Sequence, residues 1–172
     1  NLELACTDEM VAIAVDLHPD QVTLVPERRE EVTTEGGLDV VAHALRVERA
    51  VSALRDAGIR TSLFIDPEPA AVRMSRQVGA EAIELHTGEF ANHPGDAAPL
   101  EALREAARLA AEIELAVNAG HGLTADNLGP VAAIPEIEEL NIGHSIISRA
   151  IFMGLAAAVS QVRTAMVAAR ES

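Results

Sequence analysis

The chain contains no tryptophan and no tyrosine, and only three phenylalanines. Aromatic side chains therefore cannot organise its interior, and a core has to come from Ala, Leu, Ile and Val. A hydrophobic content of 49% supplies enough of them, which excludes an intrinsically disordered chain. Positive charge is also scarce: 13 Lys+Arg against 27 Asp+Glu give a formal net charge of −14. Without a basic run, the footprint that binding a phosphate backbone requires is missing, and no nucleic-acid partner is expected. The single cysteine, Cys6, can neither close an intrachain disulfide nor supply a thiolate metal site. Aliphatic stretches are broken by charge well before the ~18 residues a bilayer span needs, and no basic segment followed by an apolar one opens the chain. The expectation is a soluble cytoplasmic protein with no membrane partner. Asn1 begins directly in an apolar alternation, an abrupt opening for a domain, and 172 residues predict one domain or part of a larger one.

What is present repeats. Six β-type runs, at residues 2–6, 22–25, 61–65, 82–86, 115–118 and 140–143, are each followed by a segment of helical periodicity. The spacing predicts a helix over 8–17 with Thr7 as N-cap. After a loop comes a long helix with Val41, Ala44, Leu45, Val51 and Leu54 on one face, ending at Gly58. Further helices are expected over 68–78, stopping at Gly79, over the Ala-rich 99–113 and over the short 127–134. At the C-terminus, Leu155, Val159, Val162, Met166 and Ala169 step by four and three. No segment reads as a linker. Six β-then-α units in a row imply parallel strands with right-handed crossovers, in an open doubly wound sheet or a piece of a closed barrel. The barrel is favoured, because no G-x-G-x-x-G follows the first strand and polar residues gather at the C-terminal ends of several strands. Eight units normally take at least about 200 residues. The predicted fold is therefore an α/β, TIM-type (β/α)8 barrel represented by six βα units, a single partial-barrel domain over residues 1–172.

The strand ends carry the candidate chemistry. They hold Glu3, Glu84 and His86, then Asn118 through His121 and Asn141 through His144, and in a barrel all of these face one mouth. A carboxylate inside an apolar strand, as in Ile83-Glu84-Leu85 and Leu2-Glu3-Leu4, either alternates out to solvent or is buried at a cost that requires a partner. In Asn118-Ala-Gly-His-Gly122 and Asn141-Ile-Gly-His144, glycine stands beside a strand end, where backbone N–H groups can approach an anion at a helix N-terminus. An ordinary βα turn would use the same glycine for its φ angle. Two copies, each with an adjacent His and both on the last strands, where barrels bind phosphate, favour the anion. His86, His121 and His144 lack the i, i+4 pair or Cys partner of a metal set, so no metal is expected. The segment 26–37 is long for a βα connection. It is either a solvated charged loop or a lid hinged at Gly36-Gly37, with Thr33 and Thr34 as donors to a substrate oxygen and Arg28 or Arg29 to meet a phosphate. No nucleophile with an adjacent base is visible, which disfavours a Ser or Cys hydrolase.

Six blocks carry a resemblance, in order along the chain: Asn-Leu-Glu-Leu-Ala (1–5), Leu-Val-Pro-Glu-Arg-Arg-Glu-Glu-Val-Thr-Thr-Glu-Gly-Gly-Leu-Asp (24–39), Ser-Leu-Phe-Ile-Asp (62–66), Ile-Glu-Leu-His-Thr-Gly (83–88), Asn-Ala-Gly-His-Gly-Leu (118–123) and Glu-Leu-Asn-Ile-Gly-His (139–144). Over essentially its whole length the chain resembles the pyridoxine 5′-phosphate synthase family. The resemblance implies a TIM-type barrel, a homo-oligomer built from dimers, and catalysis without metal or organic cofactor. The implied substrates are small phosphorylated molecules: 1-deoxy-D-xylulose 5-phosphate and 3-amino-2-oxopropyl phosphate join to form the pyridine ring of vitamin B6, releasing phosphate and water. It further implies a general base at Glu3, a second acid/base at His121 and, at Glu84, a group that stabilises cationic or developing charge. Gly122, Gly143 and His144 match positions that hold the amino-oxopropyl phosphate, and Thr33 matches a lid contact to the deoxyxylulose phosphate.

Family members begin with two further βα units, which bear a catalytic His and several phosphate contacts. By the resemblance, the strands here are family strands three to eight. Two expectations of different class follow. The chain is part of an active, transferase-type ring-forming synthase, or it is a truncated, catalytically inactive piece that binds phosphate or assembles with copies of itself. Another phosphosugar barrel, an aldolase or epimerase, would want a Schiff-base Lys at a strand end or a metal set, and the chain shows neither.

Overall fold

In a computed structural model, which describes residues 1–27 and 36–171, six strands form one parallel sheet in the order of the chain. They are β1 (Leu2–Ala5), β2 (Gln21–Val25), β3 (Arg60–Ile65), β4 (Ala82–His86), β5 (Ala116–Gly120) and β6 (Ile137–Asn141). A doubly wound sheet reverses its strand order at a switch point. Here every strand is laid beside the one before it, as in a barrel, and β1 and β6 stand as the two edges. The helices are α1 (Asp8–Leu17), α2 (Ala44–Asp56), α3 (Pro69–Gln77), α4 (Gly88–Asn92), α5 (Ala97–Glu112), α6 (Gly129–Ala132), α7 (His144–Met153) and α8 (Leu155–Arg170). They pack on one another in turn, α1 on α2, α3 on α5, α5 on α6 and α6 on α8. The arrangement is part of a TIM-type barrel.

Strand register separates the two faces. Leu4, Leu24, Leu63, Ile83, Val117 and Ile137 lie side by side across the sheet, each at most 2% exposed. They share a core with Val47, Val51 and Leu54 of α2 and Leu103, Ala106 and Ala110 of α5. Because strand side chains alternate, the residues between them face the lumen. One lumen row is Glu3, Thr23, Ser62, Ala82 and Ala116, and the next is Phe64, Glu84, Asn118 and Glu139. The helix side is aliphatic, whereas the lumen side is mostly small or polar. Barrel lumens are usually filled with bulky branched side chains, so this composition marks the lumen as a place for chemistry.

An irregularity in the β5–β6 register shapes that lumen. Val117 pairs with Ile137 but Asn118 pairs with Glu139, so β6 carries one additional residue. The extra residue reverses the alternation, and it is Glu139 and Asn141, rather than Glu138, that turn inward.

Several elements differ from the sequence expectation. Thr7 does cap α1, accepting from Met10 N at 3.3 Å, and β4 has the expected limits. In α2, however, the buried stripe is Val47, Ala50, Val51 and Leu54, while Val41 and Leu45 are 48% and 78% exposed. Val41 belongs to a turn ahead of the helix, so the helical count starts later and the face rotates. In α8, Ala158 and Val162 are buried and Met166 and Ala169 lean on the core, but Leu155 and Val159 are exposed. The helix expected over 127–134 shortens to α6, β6 starts at Ile137 rather than at 140, and α4 and α7 were not expected. Among the described residues, no helix is long and apolar enough to cross a membrane.

Candidate active site

Glu84 sits in the middle of β4, flanked in register by Phe64 of β3 and Asn118 of β5, and is 4% exposed. Asn141 Nδ2 donates to its Oε2 at 2.7 Å. The other oxygen occupies space that a side chain at position 120 would need: a Cβ there would stand 2.4 Å from Glu84 Oε1 and 2.8 Å from Asn141 O. Glycine at the end of β5 is what admits the carboxyl. Burial pushes Glu84 up to about 7, with the negative charges of Glu3 and Glu139 adding to the rise and the Asn141 hydrogen bond and His86 opposing it. A carboxyl in that range holds or releases a proton near neutral pH.

A second cluster forms where β3 and β4 end. Asp66 Oδ1 lies 3.0 Å from His86 Nδ1 and accepts from Gly37 N, also at 3.0 Å. The His86 hydrogen bond holds the Asp66 carboxyl below the usual carboxylate range; burial opposes this, and the Gly37 N–H reinforces it. His86 is buried, and its ring meets Phe64 edge-on with centroids 5.1 Å apart. On another side it meets the exposed His121 ring at 4.9 Å.

His121 follows β5 with φ 84°, the left-handed region that a non-glycine residue seldom adopts. Buried Thr87 secures this turn: its N–H donates to Gly120 O at 2.9 Å, and its hydroxyl lies within hydrogen-bond reach of the Gly120 and His121 carbonyls. Gly122 has φ 74°, and a Cβ on it would come within 2.7 Å of Ala91 Cβ, so both backbone and α4 require glycine. Gly143 is different. It stands at the N-cap of α7, with His144 as the first helical residue, and among the described residues a Cβ there would meet nothing within 4 Å. Ser145 Oγ donates to Leu123 O at 2.7 Å, which brings the two Gly-His turns together, with Gly122, Gly143 and His144 all exposed.

Glu3 lies on the lumen row of β1, beside Thr23, and is exposed at the sheet edge. Strand register puts it on the same lumen face as Glu84, whose rise its negative charge adds to. Thr33, with Thr34, Arg28 and Arg29, lies outside the described residues. Sequence reasoning missed Asp66, Asn141 as the partner of Glu84, and Glu139. Asp66 directly follows β3, so the strand-end rule that selected His86 could have found it. Glu139 had no such signal, because its orientation depends on the register irregularity.

Residues 1–168 match the family described as "Pyridoxal phosphate biosynthesis protein PdxJ". Relatives named pyridoxine 5′-phosphate synthase include one from Synechococcus sp., 56% identical over 169 residues, covering 96% of this chain and 71% of the relative. One from Synechocystis sp. is 54% identical, covering 96% and 70%, and one from Trichlorobacter lovleyi is 52% identical, covering 95% and 70%. Among solved structures, 3-hexulose-6-phosphate synthase from Salmonella typhimurium gives a TM-score of 0.66 at 16% identity, over 94% of this chain and 68% of that one. The Amycolatopsis orientalis BexX/CysO complex gives 0.65 at 17% identity, over 94% and 60%. At that identity the likeness is one of fold. The family match and the relatives above half identical go further: the chain belongs to the PdxJ family of pyridoxal phosphate biosynthesis proteins.

Proposed function

We propose that this site makes pyridoxine 5′-phosphate by joining 3-amino-2-oxopropyl phosphate to 1-deoxy-D-xylulose 5-phosphate, with release of phosphate and water. The observation that carries the reading is the Glu84 carboxyl, 4% exposed and held by Asn141 on the same lumen face of the sheet as Glu3. Building a pyridine ring from an aminoketone and a ketose phosphate requires imine formation with loss of water, eliminations that expel water and phosphate, and ring closure, each assisted by proton transfer. A cationic amine or iminium beside Glu84 draws the carboxyl into its ionised form, so charge that develops on the substrate is met by charge on the protein. Glu3 serves as general base and His121, at the mouth, as the second acid/base. The amino-oxopropyl phosphate lies at Gly122, Gly143 and His144. The first N–H groups of α7 have no partner within the helix, and among the described residues nothing lies within 4 Å of where a Cβ on Gly143 would stand. Thr33 contacts the deoxyxylulose phosphate. The reading uses no metal or organic cofactor, and the working form is a homo-oligomer.

The test is to incubate the purified chain with both phosphates, follow pyridoxine 5′-phosphate by fluorescence, and run Glu3→Gln alongside. Product from the wild type, reduced about 10²- to 10⁴-fold in the variant, is expected. A folded sample that gives none supports a second reading, a non-catalytic portion that binds phosphate or assembles.

A further inference from the structure

We infer that Asp66 is a positioning residue of this site: its carboxylate keeps the His86 proton on Nδ1, seats that ring against His121, and ties both rings to the chain at Gly37. The inference rests on the proposed reaction only in making His121 the group whose orientation matters.

An ionised carboxylate offers acceptor sites and no donor. With Asp66 Oδ1 3.0 Å from His86 Nδ1, that nitrogen must carry hydrogen, which leaves Nε2 bare in the neutral ring. The Nε2 edge is fitted just as closely, since a Cβ on Gly88 would stand 2.5 Å from it. Phe64 closes another side. Held in this way, and only 5% exposed, His86 is placed to act through its neighbour, His121, rather than on a molecule at the mouth.

The second link runs to the chain that leads into α2. Gly37 N donates to the same Asp66 oxygen, Leu38 N donates to Phe64 O at 2.7 Å, and a Cβ on Gly37 would stand 2.3 Å from Asp66 N. This segment therefore rests directly on the end of β3. A shift at Gly37 removes one of the two donors that orient Asp66, and the imidazole pair feels it.

The test is nitrogen-15 NMR of the imidazole rings, with amide exchange at Gly37, in the wild type, Asp66→Ala and Asp66→Asn, the fold being followed by circular dichroism. In the wild type His86 is expected to carry hydrogen on Nδ1. Asp66→Ala should mix the tautomers, move the His121 resonances and speed Gly37 exchange about tenfold. Should the alanine variant fail to fold, the isosteric Asp66→Asn decides. It still accepts through Oδ1 but without charge, so Gly37 exchange should quicken several-fold and the His121 resonances should move. Under turnover, Asp66→Asn should lower kcat about tenfold with KM little changed. A wild-type His86 protonated on Nε2 alone, or His121 resonances unmoved in every folded variant, overturns the inference. The ring and amide signals need no substrate, so a chain that makes no product yet shows them refutes the proposed reaction and leaves the coupling standing.

Discussion

A carboxyl that is 4% exposed and faces Glu3 and Glu139 is harder to ionise in the folded chain than in the unfolded one. Glu84 goes from the usual 4.5 to about 7. With the folded value the higher, its contribution to stability is fully present below about pH 4.5 and is lost as the pH rises through about 7. The difference is about 3 kcal/mol. Glu84→Gln keeps an acceptor oxygen for Asn141 and has no charge to bury. It should match the wild type at about pH 4 and exceed it by up to about 3 kcal/mol at about pH 8, read from urea unfolding at both. Equal destabilisation at both pH values would mean that packing, not charge, decides what this position tolerates. The residue thus costs stability where it serves chemistry, as functional carboxylates commonly do.

At the scale of elements, the β1–α1 junction shows local chemistry at work. Thr7→Ala removes the acceptor for Met10 N–H and should lower stability by about 1 kcal/mol, shifting the urea midpoint without changing the slope. An unchanged midpoint would mean that water caps the helix as well as the hydroxyl does. This helix was legible because its cap and its periodicity lie in adjacent residues, and β4 was legible because a short aliphatic run is interrupted by the charge of Glu84. Where burial does not follow the apolar pattern, legibility fails. None of the residues of α7 is buried, so although Ile147 and Ile151 stand four apart, the stripe they form packs into no core of this chain. At the site, Glu3, Glu84 and His121 stood out by their place on or just after strands. The pairing of Asp66 with His86 did not, because it exists only once β3 and β4 lie side by side. The inward turn of Glu139 likewise belongs to the pairing of two strands and to neither alone.

For the whole molecule, two opposing features meet. A net charge of −14 repels copies of the chain from one another, while the surface offers them reasons to meet. Ile151 and Phe152 are 78% and 89% exposed, an apolar pair that a second copy can cover. Attraction through apolar contact is not screened by salt and is strengthened by kosmotropic salts, whereas the repulsion is screened, with a Debye length falling from about 10 Å at 0.1 M to about 3 Å at 1 M. Self-association of this chain should therefore strengthen as salt is added, opposite to an assembly held by ion pairs. Sedimentation velocity across that range is the check, with Ile151→Ser/Phe152→Ser as the companion variant. The expected result is an oligomer that salt favours and the double substitution weakens. A chain monomeric at every salt concentration refutes association altogether. An oligomer untouched by the substitutions would place the contact away from the C-terminal end of α7.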